Sequence, residues 1–243
     1  MRTFLFALCL AAALPAMAAP PDFASVLADP RRPEADKQRD DARKPAAMLA
    51  FAGVRSGSKV MDLIPGGGYF TRLFAGAVGA KGRVFAYQPS EFDGYLKGKE
   101  PPVVAVAVDY PNVTVIRASV NTLTVPEKLD LIWTSQNYHD LKNGKEADTT
   151  VVNRAAFAAL KPGGLYIILD HAAADGSGVR DTSTLHRIDE AAVKAEVTAA
   201  GFVFVGASDV LRNPADARNL AVFDPAIRGH TDQFVLKFRK PGG

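Results

Sequence analysis

The sequence predicts an α/β fold: a doubly wound, mostly parallel sheet with helices on both faces. Three observations carry this. Short, near-continuously apolar segments alternate with amphipathic ones, as strands buried on both faces require. A glycine run, Gly66-Gly67-Gly68, follows the first of those apolar segments. The last two strand-like segments have no long helical pattern between them, which predicts an antiparallel pair at one edge.

The elements follow in order. Residues 20–33 are proline-rich and read as an arm lying on the domain. Residues 34–51 carry a helical pattern, charged at first (Asp36, Arg39, Asp40, Asp41, Arg43, Lys44) and apolar from Ala46 to Phe51. Pro45 donates no helix hydrogen bond, so this helix either kinks or restarts with Pro45 in its first turn. Strands are predicted over 59–64, 83–87, 113–117, 129–134, 165–170, 202–207 and 233–238. Helices are predicted over 70–78, 147–160 and 190–200, the last capped by Asp189 and stopped by Gly201. Lys161-Pro162-Gly163-Gly164 reads as a turn into the fifth strand. No internal repeat is visible. The expected organisation is an arm and helix over 19–53 and one α/β domain over 54–243.

Composition removes several function classes. Of 243 residues 48% are hydrophobic, which excludes a mostly disordered chain. A net charge of +3 without a dense Lys/Arg run or an aromatic-basic interleave argues against a nucleic-acid partner. A single cysteine, Cys9, excludes an intrachain disulfide. Residues 1–18 read as a secretory signal: Arg2, an apolar run over 4–14, then Ala16-Met17-Ala18 with small residues where a signal peptidase reads. Cleavage is expected after Ala18, removing Cys9, and the product is expected to be periplasmic or secreted. No later apolar run is long enough to span a bilayer, so no stable membrane insertion is expected after cleavage.

The most informative stretch is Val60-Met61-Asp62-Leu63-Ile64-Pro65-Gly66-Gly67-Gly68-Tyr69-Phe70-Thr71. A glycine turn between the first strand and its helix lets a ligand approach the backbone without meeting a Cβ, and it exposes the helix N-terminus. In open α/β sheets ligands bind at this switch point. A dinucleotide enzyme is one user of such a turn, but it expects the spacing G-x-G-x-x-G and an acid about 20 residues further on. Here the spacing is Gly-Gly-Gly and Gln88 stands at the acid's place.

On these residues the chain resembles the class I S-adenosylmethionine-dependent methyltransferases, from about Val54 to Phe238. Asp62 with Gly66, Gly67 and Gly68 is similar to that family's first motif. Leu160-Lys161-Pro162-Gly163-Gly164-Leu165 and the stretch Gln136-Asn137-Tyr138-His139-Asp140 look like two further signatures. The signal segment, Arg39-Asp40…Arg43-Lys44-Pro45 and the terminal Thr231-Asp232…Lys237-Phe238-Arg239-Lys240-Pro241 look like an exported, poorly characterised subgroup. The resemblance implies a Rossmann-like methyltransferase fold, a seven-stranded sheet of order 3-2-1-4-5-7-6 with the last strand antiparallel. It implies S-adenosylmethionine as cofactor, held by Asp62, Gly66, Gly67, Gly68, Tyr69, Gln88, Ser119 and Asn137, and a small-molecule acceptor.

Three positions depart from the family pattern. Ile64 replaces the first glycine and is expected in the β region. Gln88 stands where an acid holds the ribose hydroxyls, and Ser119 near where the adenine amino group is met. These departures, and a cofactor made in the cytoplasm, support the rival reading of a non-catalytic binding or accessory protein on the same fold.

Chemistry at the predicted carboxyl edge of the sheet centres on histidines. Of four in the chain, His139, His171 and His186 map to that edge and His230 does not. His139 is the first candidate base, with Asp140 to orient a substrate or raise the imidazole pKa. The other reading of His139 is a loop cap or cofactor support. His186 with Arg187 is a candidate to close over an anionic acceptor, or else part of a solvated loop. His171 reads as structural. Tyr69 and Tyr138 are candidates for pocket walls or core. Arg39, Asp40 and Arg43 read as a solvated helix face, or as a lid over the cofactor. Asp170, His171, His139 and His186 are metal-competent but lack a recognised ligand spacing, so no metal is expected.

Overall fold

The computed structural model describes residues 21–144 and 147–242. The expected signal segment 1–18 and its cleavage point lie outside the described residues. Four short helices come first: α1 (Phe23–Leu27), α2 (Glu34–Lys37), α3 (Asp40–Arg43) and α4 (Pro45–Ala52). Then follow β1 (Lys59–Leu63), α5 (Tyr69–Val78), β2 (Arg83–Pro89), α6 (Asp93–Leu96), α7 (Val104–Asp109), β3 (Val113–Ala118) and β4 (Leu129–Ser135). The chain closes with α8 (Thr149–Ala159), β5 (Leu160–His171), α9 (Glu190–Ala199), β6 (Val203–Ser208) and β7 (Gln233–Arg239). The seven strands lie in the order β3-β2-β1-β4-β5-β7-β6, with β7 antiparallel to both neighbours and the other pairs parallel. This is the order expected from the sequence.

Alternation along each strand splits the core into two layers. Val60, Val84, Ala86, Leu131, Trp133 and Ile167 face one side and pack with α4 and α5. Met61, Leu63, Phe85, Tyr87, Ile132 and Ile168 face the other and pack with α8 and α9. Trp133 anchors the first layer, with the Phe70 ring 4.6 Å and the Phe74 ring 5.7 Å from it. Because α5 and α8 cover opposite faces, the winding reverses between β1 and β4, and a cleft opens beyond their carboxyl ends.

Where the structure differs from the sequence reading, local chemistry accounts for it. The helix expected over 34–51 is three pieces. Lys44 adopts φ +46 and Pro45 opens α4, because the residue before a proline is barred from the right-handed helical region. The expected arm contains α1, capped by Asp22 and seated with Val26 against Gly76. α6 and α7 were not expected: α7 reads Val-Ala-Val-Ala-Val-Asp, a strand-like alternation that packing overrides. β5 begins five residues early, and Lys161-Pro162-Gly163-Gly164 is an insertion between the pairs Leu129–Leu160 and Leu131–Leu165. Gly163 has φ +79 there, and its amide donates to Lys240 O.

Gly68 caps α5 with φ +80, and a Cβ there would lie 2.5 Å from Val106 Cγ2. Gly66 has φ +54, but a Cβ would meet nothing within 4 Å. Gly68→Ala is therefore expected to destabilise the fold by about 2–4 kcal/mol, adding overpacking to left-handed strain, and Gly66→Ala by about 1 kcal/mol from strain alone. Urea unfolding of the two variants checks the difference; equal losses would show that the Val106 contact is absent.

Candidate functional site

Two adjoining spaces open at the switch point. The larger, about 560 Å³, reaches from Gln88, Phe92 and Tyr95 past Gly66 and Gly67 to His139, Asp140 and His186. The smaller, about 230 Å³, lies between Asp62, Tyr69, Ser135 and the N-terminal arginines Arg39 and Arg43. Ile64, Gly66, Gly67, Gln136 and Asn137 line both.

The turn out of β1 corrects one expectation. Ile64 is not in the β region; its φ is +61. Its amide donates to Tyr87 O at 2.9 Å, and its carbonyl accepts from Asn137 Nδ2 at 3.0 Å. The backbone must reverse here to reach α5, and these two bonds hold a β-branched residue in a conformation costing about 1–2 kcal/mol. Asn137 also donates to Ser135 O at 2.6 Å, so this side chain ties the exits of β1 and β4 together. Gly66 and Gly67 present open backbone to the groove. Gly68 does not line it: its bare side faces Val103 and Val106, and the residue serves packing.

Asp62 is buried at the centre of the sheet, where its Oδ2 accepts from Thr71 Oγ1 at 2.6 Å. Burial pushes its carboxyl up to about 7, against the opposing pull of Thr71 and Arg43. Tyr69 donates its hydroxyl to Asp40 Oδ1 at 2.6 Å, and the Arg43 guanidinium lies 4.7 Å from its ring centroid. Asp40 in turn pairs with the buried Arg32 at 2.5 Å. The expectation of a solvated helix face is thus corrected for Asp40 and Arg43. Arg39 and Arg43 wall the smaller cavity, and Arg43 donates to Gln136 Oε1 at 2.8 Å.

Gln88 is buried at the end of β2 and lines the larger space, with one long contact from its Nε2 to Pro89 O at 3.5 Å. Ser119 is not brought to the groove. Its hydroxyl donates to Glu91 at 2.5 Å, and Glu91 also takes the Val120 amide. Glu91 was missed in the sequence. Three residues past Gln88, it is the next acid on the exit of β2, and the fold uses it to close the turn after β3.

The histidines converge. Asp170, fully buried, accepts from the His139 amide and lies 2.8 Å from His139 Nδ1. His139 Nε2 is 3.3 Å from Asp140 Oδ1, and His186 Nδ1 is 3.6 Å from the same oxygen. Burial alone would lower the His139 pKa, but the two flanking carboxylates outweigh it and raise it to about 10. An imidazole that stays protonated to that pH is a donor at neutral pH. That charge state does not suit the base expected of His139; Asp140 and His186 line the groove beside it. His171 contacts Thr231 Oγ1 at 2.8 Å and is driven down to about 4 by burial, so it is a neutral structural imidazole. Arg187 does not reach an acceptor: it is buried and paired with Asp216 at 2.8 Å. Tyr138 is core, its hydroxyl donating to Glu196 at 2.8 Å. The exposed ring of Phe223, 4.9 Å from His186, and Val222 come from the loop 209–232, which carried no sequence signal for a site.

Asp62 gives the pH dependence a sign. Folding raises its carboxyl from 3.8 to about 7, so the folded chain keeps a proton that the unfolded chain has released. That contribution to stability is fully present below about pH 4 and is lost as pH rises through about 7. Asp62→Asn keeps an acceptor for Thr71 and removes the titration. Its melting temperature relative to the unsubstituted chain should rise between pH 5 and pH 8; a constant difference would mean that Asp62 titrates normally.

No protein-family model and no curated protein matches the sequence. Solved structures do match in fold. A SAM dependent methyltransferase from Aquifex aeolicus aligns with a TM-score of 0.59 and 19% identity, covering 90% of this chain and 98% of that one. A putative sarcosine dimethylglycine methyltransferase from Galdieria sulphuraria aligns at 0.55 and 16%, covering 83% and 85%. The [4+2]-cyclase SpnF aligns at 0.60 and 16%, covering 83% and 82%. At these identities the likeness is one of fold: the chain has the Rossmann-like methyltransferase fold.

Proposed function

We propose that this chain is an S-adenosylmethionine-dependent methyltransferase acting on a small-molecule acceptor outside the cytoplasm, in the periplasm or as a secreted protein. The observation that carries the reading is the open Gly66–Gly67 cradle at the switch point, set in a groove that ends on His139, Asp140 and His186. The residues present fit the cofactor. The cradle is space that a Cβ would fill, and Ser135 Oγ, in the wall of the smaller cavity, is buried without a hydrogen-bond partner. Arg39 and Arg43 supply positive charge for an amino-acid carboxylate, and Gln88 supplies an amide for ribose hydroxyls. Phe92, Tyr95 and Leu96 offer an apolar wall for a purine.

When bound, S-adenosylmethionine supplies an activated methyl group. The chain's own contribution is to orient the acceptor and exclude water. Phe223 and Val222 provide an apolar side, and Asp140 and His186 accept a proton from an acceptor that must lose one. Export rests on Arg2, the apolar run over 4–14 and Ala16-Met17-Ala18. The second reading, a non-catalytic binding or accessory protein, draws on Gln88 in place of an acid and on a His139 held as a cation.

Calorimetry with S-adenosylmethionine tests the first reading. Saturable heat is expected, and Gly67→Val should abolish it with little loss of stability, because a side chain at Gly67 projects into open space. Gln88→Glu should tighten binding several-fold, since a charged acceptor improves a hydrogen bond by about 1 kcal/mol. No heat from the folded chain, or equal binding by Gly67→Val, would reject the assigned site. Binding without transfer of a labelled methyl to any acceptor would favour the accessory reading. N-terminal sequencing of the exported chain should begin at or near Ala19; an intact Met1 on cytoplasmic protein would reject export.

A further inference from the structure

We propose that His139, Asp140 and His186 form a binding site for a divalent transition metal of the zinc class at the acceptor end of the groove. Each offers one ligand atom, and the three atoms lie within 4.8 Å of one another. Asp140 Oδ1 is 3.3 Å from His139 Nε2 and 3.6 Å from His186 Nδ1. Two nitrogen or oxygen ligands about 2.0–2.1 Å from a tetrahedral ion stand about 3.3–3.4 Å apart, so these edges are close to those of a loaded site. Two imidazoles and one carboxylate suit zinc or ferrous iron and leave open positions, whereas magnesium and calcium favour all-oxygen sets.

The surroundings are those of a ligand set. Asp170, buried behind His139, takes its Nδ1 at 2.8 Å and its amide at 2.8 Å. This carboxylate–histidine pairing keeps a proton on Nδ1, fixes the ring and directs Nε2 to the groove, so that an incoming ion displaces only the Nε2 proton that otherwise faces Asp140, as the carboxylates behind zinc-bound histidines allow. His186 is held in a left-handed backbone conformation, φ +54, and among the described residues no side-chain hydrogen bond engages its ring. Its neighbour Arg187 is clamped by Asp216 and by the Leu220 and Ala172 carbonyls, which fixes the loop without using His186. A paired His139–Asp140 alone would not require the third imidazole. The open positions face the groove, where an acceptor hydroxyl or thiol would coordinate and release its proton to water, the ion then taking over from Asp140 and His186 the task of promoting that loss; that role, unlike the ion site itself, rests on the methyltransferase reading.

Titration of Co2+ into the tag-free, chelator-stripped chain tests the site, read by the visible absorption of low-coordinate Co2+. One ion per chain is expected, displaced by Zn2+ and not by Mg2+. His186→Ala and Asp140→Asn change partly exposed side chains and should each weaken binding by about tenfold or more with unchanged melting curves. Asp170→Asn, if folded, should weaken it by about 10–100-fold. His230→Ala, an exposed histidine outside the cluster, should bind as the unsubstituted chain does. Absence of stoichiometric Co2+ binding, displacement by Mg2+, or equal binding by His186→Ala and Asp140→Asn would overturn the proposal. Ion binding by a chain that gives no heat with S-adenosylmethionine would uphold the site and overturn only the acceptor role.

Discussion

A buried carboxylate with no partner would be expelled from the core or neutralised, and Asp170 escapes both because three donors converge on it. It stands at the end of β5, fully buried, where it takes the amides of His139 and His171 and faces His139 Nδ1. Burial pushes its pKa up, but the charge, ring and amide of His139 prevail and hold it below the ordinary value. The consequence is architectural. The turn after β4 is tied to the end of β5, and His139 has one orientation. The placement of Asp140, next in sequence, and its approach to His186 follow from that orientation.

The groove is also where the backbone is strained. Ile64, Gln136 and His186 all adopt positive φ, none is glycine, and all three line the larger space. Each is held by bonds the surrounding structure supplies. Asn137 engages Ile64; Arg43 and Gln233 engage Gln136; the Val222 amide, donating to Leu185 O, fixes the segment beside His186. Strain of this kind persists only where the neighbourhood over-determines it, and it concentrates at sites of function.

Ion pairs sew the outer segments onto this frame. Arg32, Asp40 and Tyr69 link the first helices to α5, as does Arg72 with Asp36 at 2.9 Å. The loop 209–232 is long for a segment without regular structure, and it is ordered by charge. Asp232 takes Arg218 at 2.8 Å and the Asn213 amide at 2.8 Å, while Asp216 takes Arg187 and the Asp232 amide. That lacing delivers Phe223 to the groove rim.

Patterning along the chain was enough to place the seven strands, the glycine turn, the helices after β1 and β4, and the antiparallel final pair. Each depends on local periodicity, turn chemistry or connection length. The same local logic failed where tertiary packing outweighed it: α7 is helical despite its strand-like alternation, with Val106 buried in the core against Gly68. Asp62, Gly66, Gly67, Tyr69, Gln88 and Asn137 were legible because they flank the exits of the central strands. Gly68, Ser119 and Arg187 were named too, but their neighbours in space (Val106, Glu91 and Asp216) take them away from the groove. His139 and Asp140 are adjacent in the chain, and Asp140 raises the imidazole pKa as expected, yet the larger Coulomb pull comes from Asp170, 31 residues away, and the cluster is completed by His186 from a different loop. Periodicity therefore determined which faces are buried and where the switch point falls. Which side chains meet there, and in which charge state, was decided only when folding set residues distant in sequence within a few ångströms, because desolvation and Coulomb interactions depend on separation in space and not along the chain.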